Sequence, residues 1–254
     1  GILRWMCKLG RLDILHKTSL LSQYLTSPRE GHLHQAFNIF NYLKHCDKNW
    51  IVFDPGRFEI SWTPMKEEPH PHERSVAMQE MYPDAKLIDP PDIPQLLGKP
   101  IQLTTFVDAD HAGNKVTRRS HTGILILANM APIFWFSKKQ NTIESSTFGS
   151  EFIALKQATE IIEGLIYKLL MLGIPVIRPT NVLCDNDSVV KSGSFPETVL
   201  KKKHCSISYH KVRESVASGS IILYYESSKS NLADLFTKIL PANVRHKIIE
   251  CIMS

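Results

Sequence analysis

The sequence predicts a mixed α/β fold for the second half of the chain, built on a sheet of five strands. Five short apolar segments rich in β-branched and aromatic residues lie between residues 101 and 226, and each has the length of a strand. A longer segment from Thr147 to Leu172 separates the third strand from the fourth, and its apolar residues recur at helical spacing. Strands and helices that follow each other in this order indicate helices packed on a mixed sheet.

The elements of this unit can be read in order along the chain. The first strand is "IQLTTFVDAD", and the next two, "TGILILAN" and "PIFWFSK", lie close enough together to form a meander. The fourth strand, "TNVLCDN", follows the long helix. A short helix ("DSVVKSG"), a basic run ("KKKH") and a second helix ("SISYHKVRESVASG") then lead to the fifth strand, "SIILYYE", and to a final helix, "NLADLFTKI".

The rest of the chain divides into segments of different character. Residues 1–50 are predicted to be helical, because apolar residues recur at helical spacing on both sides of the break "SPREGH". Residues 51–100 are expected to hold a short hairpin around a Pro-Gly turn, followed by a linker rich in proline and charge. The α/β unit occupies 101–240, and 241–254 are expected to form a C-terminal tail.

Composition excludes some classes of protein. The 254 residues are 43% hydrophobic and 22% charged, which is typical of a globular protein with one or two cores. The absence of an apolar run near 18 residues argues against a membrane partner. The net charge of +5 permits a nucleic-acid partner without requiring one. The five cysteines form no C-x-x-C pair, which argues against a zinc site and favours a reducing compartment. We expect no organic cofactor.

Four acidic residues lie at the ends of predicted elements. Asp108 ends the first strand, Glu151 lies in the first turns of the long helix, Asp185 ends the fourth strand, and Asp234 lies in the first turn of the last helix. Each also has a local explanation, as a turn former, a helix cap or an acid that suits the helix dipole. Asp110 shares the strand face of Asp108, so spacing alone does not choose between them.

The position of Glu151 weakens the local explanation. It lies three residues after Phe148 and four before Leu155, on the apolar stripe of the helix that should face the sheet. A carboxylate buried there is unfavourable unless a cation or hydrogen-bond donors satisfy it. Functional groups gather at strand ends of α/β sheets, and a divalent metal is the simplest relief for a cluster of carboxylates.

Several separated motifs occur in a recognisable order: "FVDADHAGN", "RRSHTGILILANMAPIFWFSKKQ", "SSTFGSEFIAL", "VLCDN", "KKKHCSISYHKVRE" and "NLADLFTK". This series resembles the ribonuclease H domain of copia-type retrotransposon polyproteins and runs through most of 101–240. Residues 1–50 resemble the end of the reverse transcriptase in the same polyproteins. The whole chain therefore looks like the C-terminal end of such a polyprotein.

The resemblance implies a ribonuclease H-like fold, a five-stranded mixed sheet flanked by helices, with a D-E-D-D metal centre. The matching acids, expected to be both catalytic residues and metal ligands, are Asp108, Glu151, Asp185 and Asp234. The implied cofactor is two Mg²⁺ ions, which Mn²⁺ can replace. Asp108 would contact both ions, with Glu151 and Asp185 on one side and Asp234 on the other. The implied reaction cuts the RNA strand of an RNA–DNA hybrid and leaves 5′-phosphate and 3′-hydroxyl ends.

Recognition of a hybrid requires contacts to phosphates on both strands and to 2′-hydroxyl groups on one. An ordinary surface role remains the alternative for each candidate, and no catalytic histidine is assigned because the loop "ESSKSN" before the last helix has none. The candidate nucleic-acid contacts are Arg118, Arg119, Lys138, Lys139, Ser146, Asn186, Lys201, Lys202, Lys203 and His204.

Two other functions remain open on the sequence. The chain is either an active nuclease or a silent polyprotein remnant that only binds nucleic acid or has no activity. Another nuclease of the same fold, such as an integrase or a resolvase, would keep an acidic cluster without the rest of the motif series. Polymerase activity is not expected, because no aromatic residue is followed shortly by two adjacent aspartates. A partner expected from the resemblance is the missing reverse transcriptase body.

Overall fold

A computed structural model describes residues 1–60, 69–200 and 203–253, apart from the side chain of His204. Its centre is a five-stranded sheet in the order β3-β2-β1-β4-β5. β1 pairs antiparallel with β2, which pairs antiparallel with β3, whereas β4 lies parallel to both β1 and β5. The strands are β1 (Ile101–Asp110), β2 (His121–Ala128), β3 (Ala131–Lys139), β4 (Val176–Cys184) and β5 (Ile221–Tyr225). The predicted mixed sheet is therefore confirmed.

Helices provide the connections that parallel strands need. The long helix expected over 147–172 is confirmed, and it carries the chain from β3 to β4. No helix in the described residues is long and apolar enough to cross a membrane. The helices are α1 (Ile2–Lys8), α2 (Leu15–Ser22), α3 (Glu30–His45), α4 (Pro71–Met81), α5 (Thr147–Met171), α6 (Asp187–Ser194), α7 (Ser206–Ala217) and α8 (Ala242–Ile252).

The sheet separates two apolar cores. Alternate residues of β1 face opposite sides, so that Val107 packs towards α5 and α7 while Phe106 packs in the other core. The second core also contains Phe236, from a 3-10 helix over Leu232–Phe236. That 3-10 helix lies within the segment for which the sequence predicted a final helix, and the side chain of Asn231 caps its start.

The segment 51–100 differs from the predicted hairpin and linker. Residues 51–60 contain no strand, only an isolated bridge from Ile51 to Met253, and the predicted second strand falls largely in 61–68, outside the described residues. The proline-rich stretch instead contains α4, which begins with Pro71 at its first position. Proline suits this position because the N–H that it lacks has no partner within a helix. Met78 of α4 is fully buried in the first core.

The C-terminal residues also differ from the predicted tail. They form α8, whose Ile248, Ile249 and Ile252 are buried in the same core as Phe106. These isoleucines recur at helical spacing, so one face of α8 is apolar. Burial of that face explains why a segment expected to be a tail is helical.

Residues 1–50 pack against the sheet through their first half. Leu12 is fully buried beside Phe106. The indole Nε1 of Trp135 on β3 donates a hydrogen bond of 2.8 Å to the carbonyl of Cys7, and the hydroxyl of Ser19 donates one of 2.8 Å to the carbonyl of Ser137. The N-terminal segment thus covers one face of the sheet near β3.

Replacing Leu12 by alanine tests this packing. Because Leu12 is fully buried, we expect Leu12→Ala to lower the free energy of unfolding by about 2–5 kcal/mol, measured by urea denaturation. Leu25 is 71% exposed, so the control Leu25→Ala should change it by less than about 0.5 kcal/mol. Equal stability of the two variants would contradict the packing of the N-terminal segment on the sheet.

Candidate metal centre

The sheet brings two of the predicted acids to one edge. Val107 on β1 is the partner of Cys184 on β4, and the two strands run parallel. The residues that follow them, Asp108 and Asp185, therefore lie side by side at the carboxyl ends of adjacent strands. This is the edge at which open α/β sheets place functional groups.

The other two acids reach the same edge from different elements. Glu151 lies in the second turn of α5, which begins after Ser146 caps its N-terminus. Asp234 lies in the 3-10 helix, which packs against β1 and β2. Gly123 on β2, the partner of Asp108, permits this close approach, because a Cβ there would lie 2.8 Å from the carbonyl oxygen of Ala233.

The four acids converge in space. Carboxylate oxygens of Asp108, Asp185 and Asp234 all lie within 4.8 Å of one another. Carboxylate oxygens of Glu151 and Asp185 and the thiol sulfur of Cys184 also lie within 4.8 Å of one another. Asp108 is only 1% exposed and Glu151 only 4%, so the cluster is largely withdrawn from solvent.

Glu151 is the least satisfied member of the cluster. Its Oε2 is buried and has no hydrogen-bond partner in the structure. Burial, followed by the negative charges of Asp108 and Asp185, raises the pKa of Glu151 to about 10. The charge of Lys238 and then a hydrogen bond from the Ala109 backbone offset these effects only in part. Without a cation, this side of the cluster favours a protonated carboxyl group.

The pKa values of two other acids shift in the same direction. Burial and then the charge of Asp108 raise the pKa of Asp234 to about 6, although Lys238 opposes the shift. Burial and Asp108 also raise the pKa of Asp185, against the effects of Lys238 and of a hydrogen bond with Ser228. All three pKa values are raised because the carboxylates are buried and lie close to one another.

Two residues that the sequence analysis did not single out contact the cluster. The ammonium of Lys238 lies 2.7 Å from Asp234 Oδ1 and 3.2 Å from Asp108 Oδ1. Burial disfavours its charge, but the attraction of Asp108 and Asp234 outweighs burial and raises the pKa of Lys238. The hydroxyl of Thr237 donates a hydrogen bond to Asp108 Oδ2. The i,i+4 spacing of Asp234 and Lys238 was the available signal in the sequence.

The donor set fits a hard divalent cation. All four acids offer oxygen ligands, which Mg²⁺ and related ions prefer, and the buried Oε2 of Glu151 lacks any other partner. Burial raises the pKa of the neighbouring Cys184 thiol well above its ordinary value, so this sulfur is protonated when no metal is bound. The carboxylates of the cluster are therefore suited to an oxygen-coordinated ion.

Asp110 has a different environment from Asp108. Its carboxylate accepts a hydrogen bond from the backbone N–H of His121, at the start of β2. Burial raises the pKa of Asp110 to about 6. Its carboxylate belongs to neither of the acidic groups found in the described residues. Asp110 thus links the end of β1 to the start of β2 through this hydrogen bond.

Two of the predicted nucleic-acid contacts already serve as helix caps. Ser146 Oγ accepts a hydrogen bond of 3.2 Å from the N–H of Gly149 at the start of α5. Asn186 Oδ1 accepts one of 3.2 Å from the N–H of Val189 at the start of α6. Asn186 directly follows Asp185 and Ser146 lies five residues before Glu151, so a role as a cap does not remove either from the predicted contacts.

The basic candidates differ in their surroundings. Arg119 and Lys238 line a cavity of about 320 Å³ between the N-terminal segment and the sheet. Lys138 and Lys139 lie near the end of β3, and Arg118 and Lys203 are exposed. Lys201, Lys202 and the side chain of His204 lie outside the described residues. A basic track for nucleic acid therefore stays a prediction.

Comparison with known sequences identifies the relatives of this chain. It is 32% identical over 230 residues to a retrovirus-related Pol polyprotein from transposon RE1 of Arabidopsis thaliana, a match that covers 91% of the chain and 13% of that protein. It is also 32% identical over 141 residues to the corresponding polyprotein from transposon TNT 1-94 of Nicotiana tabacum, covering 56% of the chain and 10% of that protein. The chain is a relative of copia-type retrotransposon Pol polyproteins.

The Pol-related chain spans only 13% of the RE1 polyprotein, and no protein-family model matches it. Among solved structures, it is similar to LC11-RNase H1 in complex with an RNA/DNA hybrid, with a TM-score of 0.42, 16% identity and coverage of 54% of this chain and 94% of that one. An N-terminal RNase H domain from Mycobacterium tuberculosis gives a TM-score of 0.42 with 14% identity over 59% of this chain and 97% of that one. The strand order and connections confirm the ribonuclease H-like fold that the resemblance implied.

The raised pKa of Glu151 predicts a pH dependence of stability in metal-free buffer. The folded chain holds this proton more tightly than the unfolded chain, whose ordinary value is 4.5. The contribution to stability is therefore complete below pH 4.5 and is lost as the pH rises towards about 10. Glu151→Gln should melt at a higher temperature than the parent at pH 8, and this difference should shrink towards pH 5.

Melting temperatures measured with a chelator across this pH range check the prediction. The control Glu160→Gln changes an exposed acid of the same helix and should follow the parent at every pH. If Glu151→Gln also followed the parent throughout, Glu151 would not carry the unfavourable charge assigned to it.

Proposed function

We propose that the chain is a metal-dependent ribonuclease H that cuts the RNA strand of RNA–DNA hybrids. The observation that carries the proposal is the convergence of Asp108, Glu151, Asp185 and Asp234 from four different elements at one sheet edge. Relatives among Pol polyproteins and the ribonuclease H-like sheet support the same function. A hydrolase with such a centre needs no organic cofactor.

The four acids are proposed to hold two Mg²⁺ ions, or Mn²⁺ in their place. When bound, such ions supply an activated water and stabilise the oxygen that leaves the phosphate. Asp108 is proposed as the central member, as the resemblance implies; its carboxylate lies near those of Asp185 and Asp234, and its charge acts on Glu151. The resemblance likewise assigns Glu151 and Asp185 to one side of Asp108 and Asp234 to the other.

The other contacts of Asp108 suit this central role. Thr237 donates a hydrogen bond to Oδ2, which fixes the rotation of the carboxylate relative to the sheet. Burial of Asp108 and Glu151 limits access of bulk water, so charges in the site interact more strongly than they would at the surface. In the overall reaction, water adds to phosphorus and the bond to the 3′ oxygen breaks. The products are a 5′-phosphate and a 3′-hydroxyl end.

Binding of the hybrid is proposed to use basic residues around the cluster. Arg119 lines the cavity beside Lys238, and Lys138 and Arg118 are exposed near the same edge of the sheet. Contacts from such residues to phosphates displace bound counterions, so affinity should fall as salt rises. Ser146 and Asn186 are proposed to contact sugar or phosphate oxygens near Glu151 and Asp185.

A polymerase portion is the proposed protein partner. The relatives are long polyproteins, residues 1–50 resemble the end of a reverse transcriptase, and α3 exposes Leu33, Phe37 and Phe40. Apolar side chains grouped on one helix are typical of a contact with another domain.

Binding of the chain to a separately produced polymerase segment of the RE1 polyprotein should be weakened by Phe37→Ser but not by the control Ile207→Ser in α7. Equal binding of both variants would show that α3 does not take part in the contact.

The activity is tested with purified chain, Mg²⁺ and labelled substrates. We expect the RNA strand of the hybrid to be cut, duplex DNA and duplex RNA to stay intact, and a chelator to stop the reaction. Asp108→Asn should lower the rate by at least about a hundredfold, because it removes the central ligand. The control Asp89→Asn changes an exposed acid that pairs with Arg178 away from the cluster and should leave the rate unchanged.

The outcomes separate the competing functions. Failure of a folded, monodisperse chain to cut the hybrid would contradict the proposal and favour a silent remnant of a polyprotein. Equal cutting of duplex DNA would favour a different nuclease of the same fold.

A further inference from the structure

Lys238 places a positive charge inside the cluster of acids. Its Nζ lies 2.7 Å from Asp234 Oδ1 and 3.2 Å from Asp108 Oδ1, so one ammonium bridges two of the four proposed metal ligands. Asp108 is almost fully buried, whereas the side chain of Lys238 is 37% exposed. The lysine therefore enters the cluster from its solvent side.

The opposite side of the cluster has no such charge. Among the described residues, neither Glu151 nor Asp185 takes part in a salt bridge, and Oε2 of Glu151 has no hydrogen-bond partner. Lys238 thus contacts Asp108 and Asp234 directly, whereas its charge acts on Glu151 and Asp185 only over a longer distance.

A divalent ion and the ammonium cannot occupy the same place. Mg²⁺ binds carboxylate oxygens at about 2.0–2.1 Å, so an ion held by Asp108 and Asp234 would lie close to the present position of Nζ. Two positive charges at that distance repel each other strongly in a poorly solvated site. Lysine has a flexible four-carbon stem, and the exposed part of Lys238 gives it a route into solvent.

We propose that Lys238 is a tethered counter-cation that neutralises Asp108 and Asp234 until a divalent ion displaces it, so that the two ions bind in unequal steps. The first ion enters on the side of Glu151 and Asp185, where it displaces no cation. The second ion enters on the side of Asp234 and must move the ammonium out. This inference rests on the proposed metal centre. It adds the order in which the two ions bind and identifies the Lys238 ammonium as a competitor of the second ion.

The proposal has two consequences for a chain in which Lys238 is replaced by methionine, which keeps the length of the side chain without its charge. The metal-free variant should melt at a lower temperature, because a buried carboxylate loses its ion pair. The second ion should bind more tightly, by at least about tenfold, because it no longer competes with a positive charge. Binding of the first ion should change less than binding of the second.

Calorimetric titration with Mn²⁺ measures the two binding steps, and melting temperatures with and without Mn²⁺ give a second readout that does not depend on activity. The matched control is Lys156→Met, because Lys156 forms an i,i+4 pair with Glu160 on the surface of α5, as Lys238 does with Asp234. The control should reproduce both binding steps of the parent. Lys238→Gln serves as a second variant if Lys238→Met does not fold.

The possible results are distinct. A tighter second step in the Lys238 variant, with a larger rise in melting temperature on adding Mn²⁺, supports the proposal. An unchanged or weaker second step, or a single ion bound by both parent and variant, overturns the role of Lys238 and leaves the metal centre in place. Absence of any Mn²⁺ binding by folded parent and variant overturns the metal centre itself, and with it the role of Lys238.

Discussion

The repulsion among four carboxylates is the constraint on which the rest of the site depends. Asp108, Glu151, Asp185 and Asp234 come from four elements, and the sheet, α5 and the 3-10 helix hold them together against this repulsion. Burial, followed by this repulsion, raises the pKa values of Glu151, Asp185 and Asp234. Separating the four carboxylates would make the folded chain more stable. Their convergence therefore indicates a role for a cation.

The negative charges of the four acids are compensated unevenly. Lys238 and Thr237 contact Asp108 on the side of Asp234, whereas Glu151 is buried with one oxygen unpartnered. Gly123 lets the 3-10 helix come close enough for these contacts. The asymmetry links the local packing of β1, β2 and the 3-10 helix to the order in which ions are proposed to bind.

Part of this arrangement could be predicted from the pattern of the sequence, because strand ends and the apolar stripe of α5 indicated where Asp108, Asp185 and Glu151 should lie. The inclusion of Asp234 and the choice of Asp108 over Asp110 depended on the family resemblance. Lys238 and Thr237 could not be assigned in the same way, since their contacts depend on how the 3-10 helix packs beneath β2. The helix α4 was missed because its proline-rich sequence resembled a linker, although Pro71 suits a first helical position. The burial of α8 and Leu12 depends on tertiary contacts with the core around Phe106.

The position of a bound metal ion tests the role of these four acids most directly. A crystal of the chain soaked in Mn²⁺ and measured near the manganese absorption edge locates the ions without reference to activity. We expect anomalous density between Asp108, Glu151 and Asp185, with a second peak beside Asp234 at higher Mn²⁺ concentration and Lys238 turned out towards solvent. Density elsewhere on the molecule, with this cluster empty at saturating Mn²⁺, would contradict the assignment of these acids as a metal centre.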